Sequence, residues 1–153
     1  MEQLLEVLQN KIIITAVVGW CSAQVIKTIL YLFVNKKFVW ERLLGDGGMP
    51  SSHSATVCGM AGATFFQCGP ASPEFGIALI MAIIVMHDAS GVRLETGKQA
   101  VLLNKMVESF TRLGDPGLSA EERLKEFVGH TKIQVWMGAL LGIVIAILMN
   151  WNG

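Results

Sequence analysis

The chain first becomes apolar at residues 12–34, IIITAVVGWCSAQVIKTILYLFV, where Ser22, Gln24 and Lys27 are the main polar exceptions. About 20 consecutive apolar residues are enough for a helix to cross the hydrocarbon layer of a bilayer. This stretch therefore predicts a first membrane-spanning helix. A second stretch, residues 133–151, has 19 residues without a charge and predicts the last one.

The overall composition agrees with a membrane location. Of the 153 residues, 52% are apolar and only 16% are charged, which is richer in apolar side chains than an ordinary soluble domain. The formal net charge is zero, so no general attraction to nucleic acid is expected. We predict an all-α fold, an integral membrane helical bundle in which residues 1–153 form one membrane-embedded domain.

Two shorter apolar runs, residues 53–67 and 74–87, lie between the long ones. At a rise of 1.5 Å per residue each would be roughly 20 Å long, less than the ~30 Å hydrocarbon core. Each run could be a buried helix or half of a tight membrane hairpin. The sequence CGPASP at 68–73 favours the hairpin, because two prolines and a glycine break helices. The expected total is about four membrane helices.

Polar residues interrupt the sequence more often between Gly91 and Lys132. A rough helical spacing of apolar side chains nevertheless persists at Leu94, Val101, Met106 and Phe110. This pattern predicts an amphipathic helix at the membrane surface. A capping-box match at Ser119 and Glu122 predicts a second, short surface helix.

The basic residues are distributed unevenly. Of the 12 Lys and Arg, all except Lys11 and Lys27, that is ten, lie between Lys36 and Lys132. With four crossings, these ten share one side of the membrane, and both termini share the other. The positive-inside rule then predicts that the basic loops are cytoplasmic, in what we expect to be a bacterial cell membrane.

Small residues recur every fourth position in two of the predicted helices. This spacing lets helix backbones approach closely in lipid. Packing within the chain is the favoured interpretation, and a homodimer through one of these faces is the alternative. The residues are Ala55, Gly59 and Ala63 in one helix and Gly138, Gly142 and Ala146 in the other.

Two predicted helices begin with a histidine on the same side of the membrane. GGMPSSHS, residues 47–54, precedes the second apolar run, and GHTKIQ, residues 129–134, opens the last, with Thr131 and Gln134 spaced as a capping box. A helix N-terminus offers free N–H groups and partial positive charge, which together suit a phosphate. An ordinary helix start with an interfacial histidine is the alternative for each.

Two basic residues could complete such an anion site. Lys27 lies inside the first helix, where a charge is costly and marks a functional candidate, unless it snorkels to the interface. Arg93 follows the third apolar run, where a guanidinium could grip phosphate oxygens bidentately or act as a positive-inside anchor. A metal site built on His53, His87, Asp88 and His130 is a further alternative, but these residues lack a recognised ligand spacing.

Three separated motifs resemble the divergent phosphatidic acid phosphatase family, which is related to vanadium-dependent haloperoxidases. The motifs are GGMPSSHSA (47–55), DASGVRLETGKQA (88–100) and GHTKIQVWMGALLG (129–142). The resemblance implies a histidine nucleophile, a histidine general acid and no metal or other cofactor. It covers nearly the whole chain, from Gln24 to Gly142.

The resemblance also implies a role for particular residues. His130 is the expected nucleophile, and His53 is the expected general acid. Gln134 stands where the family's pattern has an acidic residue that orients the nucleophile, and Glu126, four residues before His130, could substitute for it. The expected phosphate-binding residues are Lys27, Ser51, Ser52 and Arg93.

The expected function is hydrolysis of a lipid or polyprenyl phosphate monoester at the membrane interface. The alternative is a catalytically weak or inactive membrane protein that binds an anionic lipid headgroup or a partner at the same site. The uncharged Gln134 is the main support for that alternative, since an amide cannot stabilise a charged imidazole as a carboxylate does.

Overall fold

A computed structural model of the protein describes residues 2–36, 48–112, 124 and 129–151. The described residues form helices and connecting turns without a strand, which confirms the all-α prediction. The helices are α1 (Glu2–Gln9), α2 (Lys11–Asn35), α3 (Ser52–Cys68), α4 (Pro73–Ser90), α5 (Val92–Arg112) and α6 (Lys132–Asn150).

Local sequence sets where most of these helices begin. A polar side chain precedes each of four helices and accepts hydrogen bonds from N–H groups of its first turn, which have no partner within the helix. At α6 the predicted capping box is present, with reciprocal bonds between Thr131 and Gln134. The four capping residues are Asn10, Ser51, Ser72 and Thr131.

The predicted hairpin is also present. α3 ends at Cys68, and α4 begins at Pro73 after a short turn. Gly69 has a φ of +88°, a backbone conformation that glycine adopts without steric cost. α3 and α4 then pack against each other through a core of small and medium side chains: Val57, Cys58, Ala61, Ala78 and Ala82.

Helix α3 is the centre of the bundle, because it packs against α2, α4 and α6. Gly59 of α3 lies against Thr15 of α2, and Gly19 of α2 lies against Ala55 of α3, so these two helices are antiparallel. α6 runs parallel to α3. One end of the bundle, which we call the site end, therefore holds the last residues of α2 and α4 and the first residues of α3 and α6: Asn35, Ser90, Ser52 and Lys132.

The small residues of α3 and α6 meet inside the chain. A Cβ built on Gly142 would collide with the Ala55 carbonyl oxygen, and one on Gly62 would lie 2.6 Å from the Ala146 Cβ. This agrees with the packing interpretation of the four-residue spacing. A dimer through the same faces would have to separate α6 from α3.

A polar cluster, in which Thr15 and Asn150 are buried, joins three helices at the end opposite the site end. Gln67 Nε2 donates to Asn150 Oδ1 (3.0 Å), and Asn150 Nδ2 contacts Thr15 Oγ1 at 3.5 Å and donates to the Ala146 carbonyl (2.9 Å). Thr15 is fully buried, and its hydroxyl donates to the Lys11 carbonyl. These hydrogen bonds pair the polar side chains and link α2, α3 and α6 at this end of the bundle.

Three helical stretches within the described ranges are long and apolar enough to cross a membrane: Lys11–Asn35, Pro73–Ser109 and Lys132–Asn150. α3 has 17 residues, about 25 Å of helix. It is not one of these three stretches, and it packs against α2, α4 and α6. α4, by contrast, leaves Ile77, Ile80 and Ile84 more than half exposed, as expected of a surface that faces lipid.

Two surface elements complete the description. α5 is the predicted amphipathic helix after Gly91, and the proposed capping box at Ser119 and Glu122 lies outside the described residues. α1 was not predicted. The sequence does contain a local indication of this helix: Leu5 and Leu8 are three residues apart, in a stretch that also contains Glu2 and Glu6. This is the pattern of a short interfacial helix.

Candidate active site

The first turn of α3 is tied to the first turn of α6. The N–H of Ser51 donates to the carbonyl of Gln134 (3.0 Å), and a Cβ on Gly138 would collide with the Ser51 carbonyl oxygen. Ser51 is fully buried, and its hydroxyl accepts from the N–H of Ser54 at 3.4 Å. The two predicted helix N-termini therefore lie side by side.

His130 is held by its backbone and by its ring. Its N–H donates to the carbonyl of Ala89 at the end of α4 (3.1 Å), and its side chain is only 3% exposed. Nδ1 lies 3.4 Å from Oε1 of Gln134. The same amide oxygen accepts from the N–H of Thr131 (3.0 Å), so the capping box that starts α6 also directs an acceptor toward the His130 ring.

The two predicted catalytic histidines meet at the site end. The ring centroids of His53 and His130 are 6.3 Å apart, with their planes tilted by 59°. His53 is partly exposed, whereas His130 is buried. Ser52, beside His53 in the first turn of α3, is 3% exposed.

Lys27 points into the bundle. Its side chain is 3% exposed, and a Cβ built on Gly48 would lie 3.0 Å from its Cγ. Gly48 has a φ of +88°, so glycine is required there both for the backbone conformation and for the close approach of Lys27. A cleft of about 320 Å³ opens beside this contact, lined by Lys27, Leu30, Tyr31, Val34, Asn35, Gly48 and Met49.

The backbone joins the segment before the last helix to the end of α4. The N–H of His130 donates to the carbonyl of Ala89 (3.1 Å), which is four residues before Arg93 in the sequence. The side chain of Arg93 and the whole of Glu126 lie outside the described part of the structure.

The alternative of a metal centre finds no geometric support. Within residues 2–36, 48–112, 124 and 129–151, no group of three or more His, Cys, Asp and Glu side chains is arranged to hold a metal ion. His53 and His130 are close, but no carboxylate or thiolate of the described residues completes a ligand set with them.

Gln24 was not among the predicted site residues, although the structure buries it close to Lys27 in α2. It is 6% exposed, and its Oε1 is buried without a hydrogen-bond partner in the described chain. The sequence did contain an indication of this, because Gln24 is one turn from Lys27 in an apolar helix and so lies on the same face. Only the packing of α2 against α3 shows that this face is buried.

The fold and the residues at its site end define an all-α membrane protein with a pair of histidines at two adjoining helix N-termini. The chain belongs to the Divergent PAP2 family, which it matches over residues 8–145. It is also 35% identical over 155 residues to the uncharacterized membrane protein YuiD of Bacillus subtilis (strain 168), across 96% of this chain and 98% of that protein. No solved structure matches the chain.

Proposed function

We propose that the protein is a membrane-embedded phosphatase that hydrolyses a lipid or polyprenyl phosphate monoester through a histidine nucleophile, without a metal ion. The observation that carries the proposal is the pair of rings, His53 and His130, 6.3 Å apart beside the N-terminus of α3. Membership in a phosphatase-related family supports the reaction class. A site at the end of membrane helices suits a substrate whose phosphate is at the interface and whose tail is in lipid.

The first step transfers the phosphoryl group to His130. The Nε2 lone pair forms a P–N bond while the ester P–O bond breaks, and the bonding electrons leave with the ester oxygen. Protonated His53 donates a proton to that oxygen, so the alcohol departs neutral. Lys27, Arg93 and the N–H groups at the start of α3 stabilise the negative oxygens of the phosphoryl group.

The second step returns the enzyme to its starting state. The oxygen of a water molecule attacks phosphorus, the P–N bond breaks, and its electron pair returns to Nε2 of His130. Neutral His53 takes the proton from that water. The products are inorganic phosphate and the two histidines in their original protonation states.

The role proposed for Gln134 is to select the tautomer of His130. Because its Oε1 already accepts from the Thr131 N–H, the atom that faces Nδ1 is an acceptor, and Nδ1 must carry the proton. Nε2 then keeps its lone pair for attack. A neutral amide orients the ring in this way but stabilises positive charge on it less than a carboxylate would.

The second candidate is a protein that binds an anionic headgroup or a partner at this site without turnover. The specific observation in its favour is the same amide at Gln134, 3.4 Å from the histidine ring. An assay separates the two candidates. Detergent-purified protein is incubated with a panel of lipid phosphate monoesters in the presence of a chelator, and release of inorganic phosphate supports the phosphatase.

We expect inorganic phosphate and vanadate to stabilise the purified protein against heat, because two helix N-termini and the buried Lys27 lie at the site end. Lys27→Met and Arg93→Ala should each reduce this stabilisation. The measurement is the midpoint of thermal unfolding in detergent as a function of anion concentration.

The matched control is Lys98→Met. Lys98 lies on α5, where it forms an exposed ion pair with Glu95 (2.7 Å), so its loss removes one positive charge away from the site. The anion should stabilise this variant as it does the wild type. If Lys27→Met and Arg93→Ala behave like Lys98→Met, the anion binds elsewhere.

We also propose that the site end faces the cytoplasm, as the positive-inside rule suggests. The test uses a background in which Cys21 and Cys68 are replaced by alanine. In intact cells, an impermeant thiol reagent should label Ala71→Cys in the α3–α4 turn and leave Lys98→Cys on α5 unlabelled. The reverse labelling pattern would show that the site faces outward.

A further inference from the structure

Gln24 is a buried polar side chain that the proposed mechanism does not use. Its Oε1 is one of two buried side-chain N or O atoms in the described chain that have no hydrogen-bond partner; the other is Ser54 Oγ. Leaving a buried acceptor unpaired costs free energy. A costly polar group inside a membrane helix is a candidate for a functional role.

The register of α2 against α3 gives the location of Gln24. Gly19 lies against Ala55, and Gly59 lies against Thr15. Continuing this antiparallel register toward the site end puts Gln24 opposite Pro50. The same register puts Lys27 opposite the residues just before Met49, and the contact of Lys27 with Gly48 agrees with that.

Gln24 is thus level with the start of α3, on the same side of α2 as Lys27. Two features near this level of the bundle suit an anion: Lys27, one turn along α2, and the N-terminus of α3. The N–H of Ser54 donates to the hydroxyl of Ser51. The N–H groups of Ser52 and His53 are in the first turn of α3, where an N–H has no acceptor within the helix. The Gln24 carbonyl is an acceptor in a site otherwise built for an anion.

We infer that Gln24 is a specificity residue, whose buried Oε1 accepts a hydrogen bond from a protonated oxygen of the bound phosphate and thereby favours proton-bearing phosphate over an oxyanion without protons. This inference rests on the proposed phosphate site. The donors hold the unprotonated oxygens, and Oε1, which can only accept, requires a P–OH group. A fully deprotonated tetrahedral anion would bring one of its own acceptor oxygens against Oε1.

The chemistry predicts a discrimination that can be measured with inorganic ions. Near neutral pH, inorganic phosphate retains a proton on at least one oxygen, whereas sulfate of nearly the same size and shape retains none. Sulfate therefore leaves Oε1 unpaired and repels it. A single such mismatch at a buried group corresponds to an affinity ratio of about tenfold or more.

The experiment measures thermal stabilisation of the detergent-purified full chain by phosphate and by sulfate, at equal ionic strength and pH 7. The wild type should bind phosphate about tenfold or more tightly than sulfate. In Gln24→Met, which keeps the size of the side chain but removes the amide, the two affinities should become similar. Without anion, this variant should unfold at the same temperature as wild type or higher, because an unpaired buried acceptor has been removed.

Ser54→Ala is the matched control. It removes the other unpartnered buried atom, from a fully buried residue that faces Gly138 of α6 rather than α2. Its preference for phosphate over sulfate should equal that of the wild type. A purely structural role of Gln24 would lower the unfolding temperature of Gln24→Met and leave its anion preference unchanged.

Three results would overturn the inference. An unchanged preference for phosphate in Gln24→Met means that Oε1 does not contact the anion. An equal loss of affinity for both anions means that the amide nitrogen donates instead. If neither phosphate nor vanadate stabilises the wild type, the proposed phosphate site itself fails, and the role of Gln24 fails with it.

Discussion

The His130→Ala variant is expected to release phosphate from a lipid phosphate monoester at least about 10⁴-fold more slowly than the wild type, because removal of a catalytic nucleophile has effects of this order. The ring is buried, and its Nδ1 lies 3.4 Å from Oε1 of Gln134, so alanine removes both the nucleophile and this contact. The measurement is the steady-state rate in detergent with chelator present.

The matching His53→Ala variant should show a different pattern. A general acid matters most when the leaving group is a poor one, so the loss should be large for an alkyl phosphate and small for an aryl phosphate. His130→Ala should instead reduce the rate of phosphate release from both substrates equally. Phosphate release that survives in His130→Ala would refute the mechanism.

Gln134→Glu tests the second half of the same prediction. A carboxylate at this position can keep the capping box with Thr131 and would lie near Nδ1 of His130, where it stabilises the imidazolium. We expect the rate to rise by about tenfold or more, given how much an acidic partner contributes in histidine-based catalysis. Absence of activity in both the wild type and Gln134→Glu on every lipid phosphate would favour the non-catalytic binding protein.

The second large effect is expected at the contact between α3 and α6. Gly142→Leu should destabilise the bundle by about 3 kcal/mol or more, since overpacking of a close contact already costs about 1–3 kcal/mol and here the obstacle is backbone. A Cβ on Gly142 would collide with the Ala55 carbonyl oxygen and lie 2.8 Å from the Gly59 nitrogen. The checks are the unfolding midpoint in denaturing detergent and the elution profile of the purified variant.

Gly76→Ala is the control for this substitution. Gly76 is a helical glycine of α4, and a Cβ built there would meet no atom within 4 Å. Alanine should therefore leave stability unchanged or raise it by up to about 1 kcal/mol, the usual advantage of alanine over glycine in a helix. Equal stability of Gly142→Leu and wild type would contradict the close contact of α3 with α6.

Much of the local structure could be predicted from the sequence. The apolar run at 12–34 lies within α2, and the run at 133–151 coincides closely with α6 (Lys132–Asn150). Pro70 and Pro73 mark the turn between α3 and α4, and the capping box at Thr131 is present as expected. These features depend on the length of an apolar run, on helix breakers and on side chains that cap their own helix, all of which act over a few residues.

The family could also be recognised from the sequence, because its motifs are short and occur in a fixed order. The match over residues 8–145 confirms that recognition. The positions of individual site residues could not be deduced from the motifs. His53 and His130 belong to helices that are far apart in the chain, and nothing local determines the distance between their rings.

Only the tertiary structure decided which groups meet at the site end. The N–H of His130 donates to the carbonyl of Ala89, and the N–H of Ser51 donates to the carbonyl of Gln134. The repeated small residues indicated that helices approach closely, but they did not specify which helix contacts which, or in what register. The register follows from simultaneous packing of α3 against two neighbours, and that same register buries Gln24 beside Lys27.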